Sequence, residues 1–269
     1  MSNITLFSQI ISKLDRGKFS KLIKDKQSDK HSKGFNSWTH LVSMLFCQFA
    51  KSQSVRDISN GLRSATGNLN HLGIGKAPSK STISYQNKHR PWGLFKEYYF
   101  SLLESLGQQA RFKQVKFRIK SKIFLLDSTT IGLCLSLFDW ATVWDDVNGQ
   151  VIEIITNQMS WTANTIGELY KSRWQIEIFF RKIKQLLHIK TFIGTTENAV
   201  MIQIWAALIT ILVLKALRAM AKFNWHLSNL VAFIRLNIFV KINLQEWLDK
   251  PFDEPPEPSP YFSIQGDLF

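Results

Sequence analysis

Cysteine is nearly absent from this chain. The two present, Cys47 and Cys134, have neither CxxC spacing nor a histidine at metal-ligand spacing. A zinc site and a disulfide framework are therefore both unsupported, and a reducing compartment is expected. Acid is also scarce: 20 Asp+Glu face 34 Lys+Arg, which leaves +14 at neutral pH. Such an excess calls for a polyanionic partner or an anionic surface, and charge alone does not choose between them. Long apolar runs are short of membrane length. Residues 202 to 214 are bounded by Lys215 and contain Gln203, and they fall below the roughly 20 residues that a span requires. They read as a buried core helix, so a membrane-associated basic protein is the weakest class and no membrane partner is expected. MSNITLF lacks a charged n-region and a cleavage pattern, so no signal peptide is expected, and no internal repeat is visible.

What is present begins with lysine. Lys13, Arg16, Lys18, Lys21, Lys24, Lys26, Lys30 and Lys33 form one polar run, read as a solvated arm that brings phosphate contacts and salt dependence. Residues 36 to 106 then read as helices. Trp38, Leu41, Val42, Leu45, Phe46 and Phe49 recur at helical spacing, followed by Val55, Ile58 and Leu62 on one side of a helix that starts near Ser54, with Asp57 three residues on. Gly67 to Gly75 supplies a loop. From Ser79 a polar helix runs to Pro91, with Lys80, Ser81, Thr82, Tyr85, Gln86, Lys88 and Arg90 as its outward groups. Such a helix is competent to sit on DNA, and a small helical bundle with a polar face is the equal alternative. Trp92, Phe95, Tyr98, Tyr99 and Leu102 make the apolar face of the next helix.

Two acids stand out further on. Apolar residues 123 to 126 lead directly into Asp127, with Ser128, Thr129 and Thr130 turning the chain. A carboxylate at the end of a buried strand is costly unless paired, hydrogen-bonded or bound to a metal, so Asp127 is a functional candidate, with a hydroxyl-bonded strand cap as the alternative. The second acid lies in LYKSRWQIEIFFRKIKQLL, where Tyr170, Arg173, Glu177 and Lys184 follow the pattern Y-x2-R-x3-E-x6-K. Helical spacing puts these four on one face with Arg181 and His188, opposite Ile176, Phe179, Phe180, Ile183, Leu186 and Leu187. One carboxylate flanked by cations suits a site that holds a metal ion and a phosphate together. A solvated amphipathic helix with i,i+4 ion pairs has the same pattern.

The Tyr-Arg-Glu-Lys pattern resembles the signature helix of DDE transposases of the IS4 insertion-sequence family. Ile155-Thr156-Asn157, the run IGELYKSRWQIE and the run IKTFIGTTENAVMIQIW agree with it. The resemblance implies that Glu177 is the last acid of an Asp-Asp-Glu triad, that Arg173 and Lys184 contact the DNA backbone and that Tyr170 helps to position it. LLDSTTI is similar to the family's stretch around the first Asp, making Asp127 and Glu177 the implied ligands of Mg²⁺ or Mn²⁺. SVRDISNGL, NHLGIGK and SKSTISYQNKHRPWGLF look like the family's N-terminal region, which is thought to bind terminal inverted repeats.

These readings give an α/β chain, mostly α, in three parts. Residues 1–106 form a helical DNA-binding domain carrying Lys80, Lys88 and Arg90, residues 107–248 a truncated ribonuclease-H-like core, and residues 249–269 a flexible acidic, Pro-rich tail. Phosphodiester chemistry on two divalent ions takes about three carboxylates, and the second Asp is missing. Fifty positions separate Asp127 from Glu177, too few for the strands and helix that the implied fold places there. The sequence passes from LCLSLFDWA directly to TVWDDVNGQVIEIITNQ, a strand and hairpin that the family carries late in its core. An internal deletion near residues 141 and 142 accounts for this. Asp139, Asp145 and Asp146 are poor substitutes, the last two belonging to an Asn-Gly hairpin turn.

The expectation is a transposase by descent, cutting at inverted repeats and joining 3′ ends in its intact relatives, and catalytically defective here. The alternative is a non-catalytic DNA-binding remnant or inhibitor, acting as a homodimer or as a dimer with intact transposase. Either is expected in the bacterial cytoplasm, associated with the nucleoid. Finally, the ending Gln265-Gly266-Asp267-Leu268-Phe269 is similar to the Q-L-[SD]-L-F peptide that docks on the replication sliding clamp. Gly266 departs from that pattern, and an ordinary frayed terminus is the competing reading.

Overall fold

The computed structural model describes residues 3–30, 32–65, 68–107, 140–145, 150–155, 160–171, 181, 185, 187 and 192–252. It falls into two compact units. One combines Met1–Gln114 with Lys184–Phe269, and the other is Val115–Ile183.

The first unit is helical. Its N-terminal elements are α1 (Leu6–Ser12), α2 (Arg16–Lys26), α3 (Ser37–Ala50), α4 (Val55–Ser64), α5 (Lys80–His89) and α6 (Gly93–Gly107). Side-chain caps set the starts: Asn36 accepts from Thr39 N, Ser79 accepts from Thr82 N, and Ser54 with Asp57 closes a reciprocal capping box at α4. The expected starts at Ser54 and Ser79 are both present. Gln27 and Lys51, in left-handed conformation, end α2 and α3. Helix α3 is the axis of the unit, with residues Ser37 to Phe49 all buried. Its partner α4 brings Ile58 and Leu62 inward, and Gly61 allows close approach, since a Cβ there would lie 2.5 Å from the Phe46 ring. Phe7 meets Phe46 and Phe49 edge-on, and Phe19 packs on Trp38 and Tyr98.

The same core is completed from the far end of the sequence by α8 (Glu197–Met220), α9 (Leu227–Leu236) and α10 (Leu244–Asp249). Helix α8 packs against α3, α5 and α6. It is the one described helix long and apolar enough to cross a membrane, yet Ile202, Ala206, Ile209, Leu214 and Leu217 are buried within this unit, as a core helix requires. Helix α1 is tied to the other end: the N–H groups of Leu6 and Phe7 donate to the carbonyls of Val240 and Ile238 at 2.8 and 3.0 Å. Gln9 donates to the Ile242 carbonyl and accepts from Leu244 N at 2.6 and 2.9 Å. First-turn amides of a helix have no intrahelical partner, and here distant backbone supplies two. The boundary read at residue 106 therefore does not close the compact unit. Residues assigned by sequence to the second part, 197 to 248, pack with the first.

In the second unit, the described elements are β1 (Trp140–Asp145), β2 (Gln150–Ile155) and a helix α7, described over residues 163–171. The strands pair antiparallel in the register Trp140↔Ile155 to Asp145↔Gln150, which leaves four residues between them. The two strands flank the DDVNG sequence, and its turn residues 146–149, Asp146 among them, lie outside the described residues. Asp145 ends β1. Thr162 accepts from Thr165 N to start α7, and Ile166 is buried. The described part of the whole chain is mainly α.

Candidate nucleic-acid interface

Helix α5 buries only Ile83 and Asn87. Lys80, Ser81, Ser84, Tyr85, Lys88 and His89 are exposed, and Thr82 and Gln86 are half-buried. Its polar face therefore carries two cations, two hydroxyls and two rings on one short, capped helix. Tyr85 is 59% exposed and stacks on His89, with ring centroids 4.1 Å apart and planes 25° from parallel. The i,i+4 spacing makes that stack legible in sequence, but His89 escaped the sequence reading.

Arg90 does not belong to this face. It is 3% exposed, donates to the Asn36 and Phe35 carbonyls at 3.2 and 3.0 Å, and lies 3.4 Å from Asp29. Burial lowers its pKa to about 10, with Asp29 opposing that shift. The α5 helix ends at His89, and the extended Arg90 swings inward. A guanidinium so enclosed cannot reach a phosphate, which corrects the expectation that Arg90 contacts DNA.

Around it lies the mount that holds α5. With Asn87 oriented so that Oδ1 accepts, His40 Nε2 donates to it at 2.7 Å. Asn198, at the start of α8, donates to the carbonyls of both Asn87 and Arg90 at 2.8 Å and accepts from Trp92 N at 3.2 Å. His40 is fully buried, and desolvation, reinforced by Arg90, lowers its pKa to about 3, so the ring is neutral. Neither His40 nor Asn198 was singled out in the sequence. A histidine amid apolar residues and an asparagine ahead of an apolar run carry no local signal of pairing.

The lysine run is not an arm. Arg16 to Lys26 form α2, anchored by Phe19. Arg16 lies 5.1 Å over the Trp38 ring, Lys26 pairs with Glu97 at 2.6 Å and Lys18 bonds the Ser105 hydroxyl. Lys13, Lys18, Lys21, Lys24, Lys30 and Lys33 remain exposed, as a folded basic surface rather than a flexible one.

Of the signature stretch, Tyr170 is half-buried on α7, Arg181 is exposed and Leu187 is buried. Asp127, Arg173, Glu177 and Lys184 lie outside the described residues, as do His188, Asp139 and the ending Gln265 to Phe269. Among the described residues no three His, Cys, Asp or Glu side chains group to hold a metal ion. Cys47 is buried, and desolvation pushes its thiol up to about 12, which leaves it unreactive.

Comparison with known proteins finds a family model for a domain of unknown function, DUF4372, over residues 2–75. A second, for a transposase DDE domain, matches residues 113–213. The chain is 39% identical over 94 residues to a protein assigned as transposase for insertion sequence element IS5377 of Geobacillus stearothermophilus, a stretch covering 35% of this chain and 25% of that protein. It is 46% identical over 68 residues to the Sinorhizobium fredii protein assigned as transposase y4zB, covering 25% and 19%. It is 32% identical over 83 residues to one assigned to insertion sequence element IS4SA of Synechocystis sp., covering 31% and 25%. The chain thus spans a quarter or less of the length of these relatives. No solved structure matches it.

Proposed function

We propose that this chain, which belongs to the insertion-sequence DDE transposases, is of the IS4 type and binds duplex DNA at terminal inverted repeats through its helical unit. The observation that carries the DNA reading is the exposed face of α5, with Lys80 and Lys88 on a helix that buries only two of its own residues. Lysines placed on a rigid helix neutralise phosphates and release counterions on binding. The exposed lysines of α2 give a second phosphate-contacting surface. In the family reading, Tyr170, Arg173 and Lys184 hold the DNA backbone near Glu177. Asp127 and Glu177 would be the carboxylates for Mg²⁺ or Mn²⁺, which in such sites activates the attacking oxygen and stabilises the leaving one. Two carboxylates fall short of the three that this chemistry takes, so an internal deletion accounts for a copy that cleaves and joins DNA poorly or not at all. The ribonuclease-H-like core, in truncated form, belongs to the same proposal.

A second reading is a non-catalytic DNA-binding protein that inhibits intact transposase by occupying its ends or dimerising with it. It is favoured by the compact unit assembled from both ends of the sequence: residues lost within 115–183 remove no described helix of that unit. A cytoplasmic, nucleoid-associated location and clamp docking through Gln265 to Phe269 remain part of the proposal.

The full chain with supercoiled plasmid and Mg²⁺ tests these readings. Retarded plasmid without nicking or joined product is expected. Robust strand transfer abolished by Asp127→Asn would overturn the defect, and no retardation at low salt would overturn the DNA reading.

A further inference from the structure

We propose that the stacked ring pair Tyr85 and His89 reads base edges of duplex DNA, while Lys80 and Lys88 beside it hold the phosphates. The inference rests on the reading of α5 as the DNA-facing helix and assigns its sequence-selecting residues.

Lysines on phosphates position a helix but carry no sequence information; selection comes from groups that meet base edges. Among the exposed side chains of α5, the two rings are the groups suited to that task. A tyrosine 59% exposed in the middle of a ten-residue helix contributes little to the core, whose α5 contacts are made by Ile83 and Asn87. Its ring is nevertheless held, by the stack on His89 and by the helix itself. His89 Nδ1 lies 2.7 Å from the Tyr85 carbonyl. A carbonyl can only accept, so Nδ1 carries the proton. In the neutral ring Nε2 is then the acceptor.

The pair thus offers three different contacts in a fixed array. Nε2 can accept from the exocyclic amine of adenine or cytosine, the Tyr85 hydroxyl can donate or accept, and the Tyr85 ring can cover a thymine methyl group. Ser81 and Ser84 add hydroxyls of lower discrimination. The array is fixed because α5 is fixed: Asn198 grips the carbonyls of Asn87 and Arg90, and His40 grips the Asn87 side chain. A helix presented in this way fits the major groove, which is about 12 Å wide. The alternative role for the ring stack and the carbonyl bond is a local helix-end interaction. That alternative predicts a loss of stability and no change in base preference.

The test uses the full chain and a library of duplexes with a randomised core of about twenty base pairs, long enough to contain one helix's site and its flanks. After selection, fluorescence anisotropy measures binding to the selected duplex and to random duplex, for wild type, Tyr85→Ala, Tyr85→Phe and His89→Ala. The expected result is a wild-type consensus that binds more tightly than random duplex. That ratio should fall by roughly ten-fold or more in Tyr85→Ala and His89→Ala, at unchanged salt slope. Tyr85→Phe keeps the stack and should shift preference at one position. Variants that keep the wild-type consensus and ratio would overturn the inference, and a lowered melting temperature alongside would assign the ring pair to the helix end instead. Duplex binding without any consensus would overturn it too, as would equal competition by RNA of the selected sequence. Failure to bind any duplex would instead remove the DNA reading on which it rests.

Discussion

Helices α3 and α5 belong to the same unit and are used in opposite ways. Thirteen of the fourteen residues of α3 are buried, against two of the ten in α5. A helix apolar on most sides is a scaffold, and one that is polar over most of its surface needs a reason to exist, because propensity alone seldom holds ten residues helical. For α5 the reason is the mount beneath it: Ile83 in the core, Asn87 on His40, and Asn198 at its end. Substitutions in α3 should therefore change whether the unit folds, and substitutions on the outer face of α5 should change only what it binds.

The largest effect is expected in α3. Phe49 is fully buried and meets Phe7 edge-on. Phe49→Ala should cost about 3–5 kcal/mol in urea-induced unfolding, from lost transfer energy and a residual cavity. A loss under about 1 kcal/mol would show that α3 is not the scaffold, given that range.

Next comes the mount. Asn198→Ala leaves two carbonyls and the Trp92 N–H without their partner. The expected cost is about 2 kcal/mol, with a loosened α5 seen as faster amide exchange at residues 83 to 89. Loss of stability with α5 exchange unchanged would mean that the clamp serves α8 alone.

A smaller, pH-dependent effect follows from His40. Its folded pKa is lowered to about 3 from an ordinary 6.5, chiefly by burial. Below pH 6.5 the unfolded chain takes up a proton at this ring and the folded chain does not. Stability should therefore be intact above pH 6.5 and fall as pH drops toward about 3, by a little over 1 kcal/mol per pH unit. Urea titrations at several pH values should show a shallower slope in His40→Asn. Equal slopes would place His40 in contact with water.

The helices around residues 36 to 106 were legible because their signals are local. The stripe from Trp38 to Phe49, the Ser54–Asp57 pair and Ser79 each act within one or two turns, and the structure places helix starts and buried faces accordingly. What the sequence could not show was which distant groups would meet. Arg90 reads as one more cation beside Lys88 until the carbonyls of Phe35 and Asn36 enclose it. The run from 202 to 214 reads correctly as a core helix, but nothing in it says that the core is the one built by α3, α5 and α6. The lysine run looked like an arm since its apolar members, Phe19 above all, are few and widely spaced. The acid pair Asp127 and Glu177, the most specific sequence signal, lies outside the described residues and stands on resemblance.

The most direct test of the account is the salt dependence of full-chain binding to duplex DNA, measured for wild type and for the double substitution of Lys80→Ala with Lys88→Ala. If α5 lies on the phosphates, log K should fall linearly with log salt, and the slope should flatten by roughly one unit for each lysine removed, with no change in urea stability. An unchanged slope would contradict the account and move the interface to α2 or away from this unit.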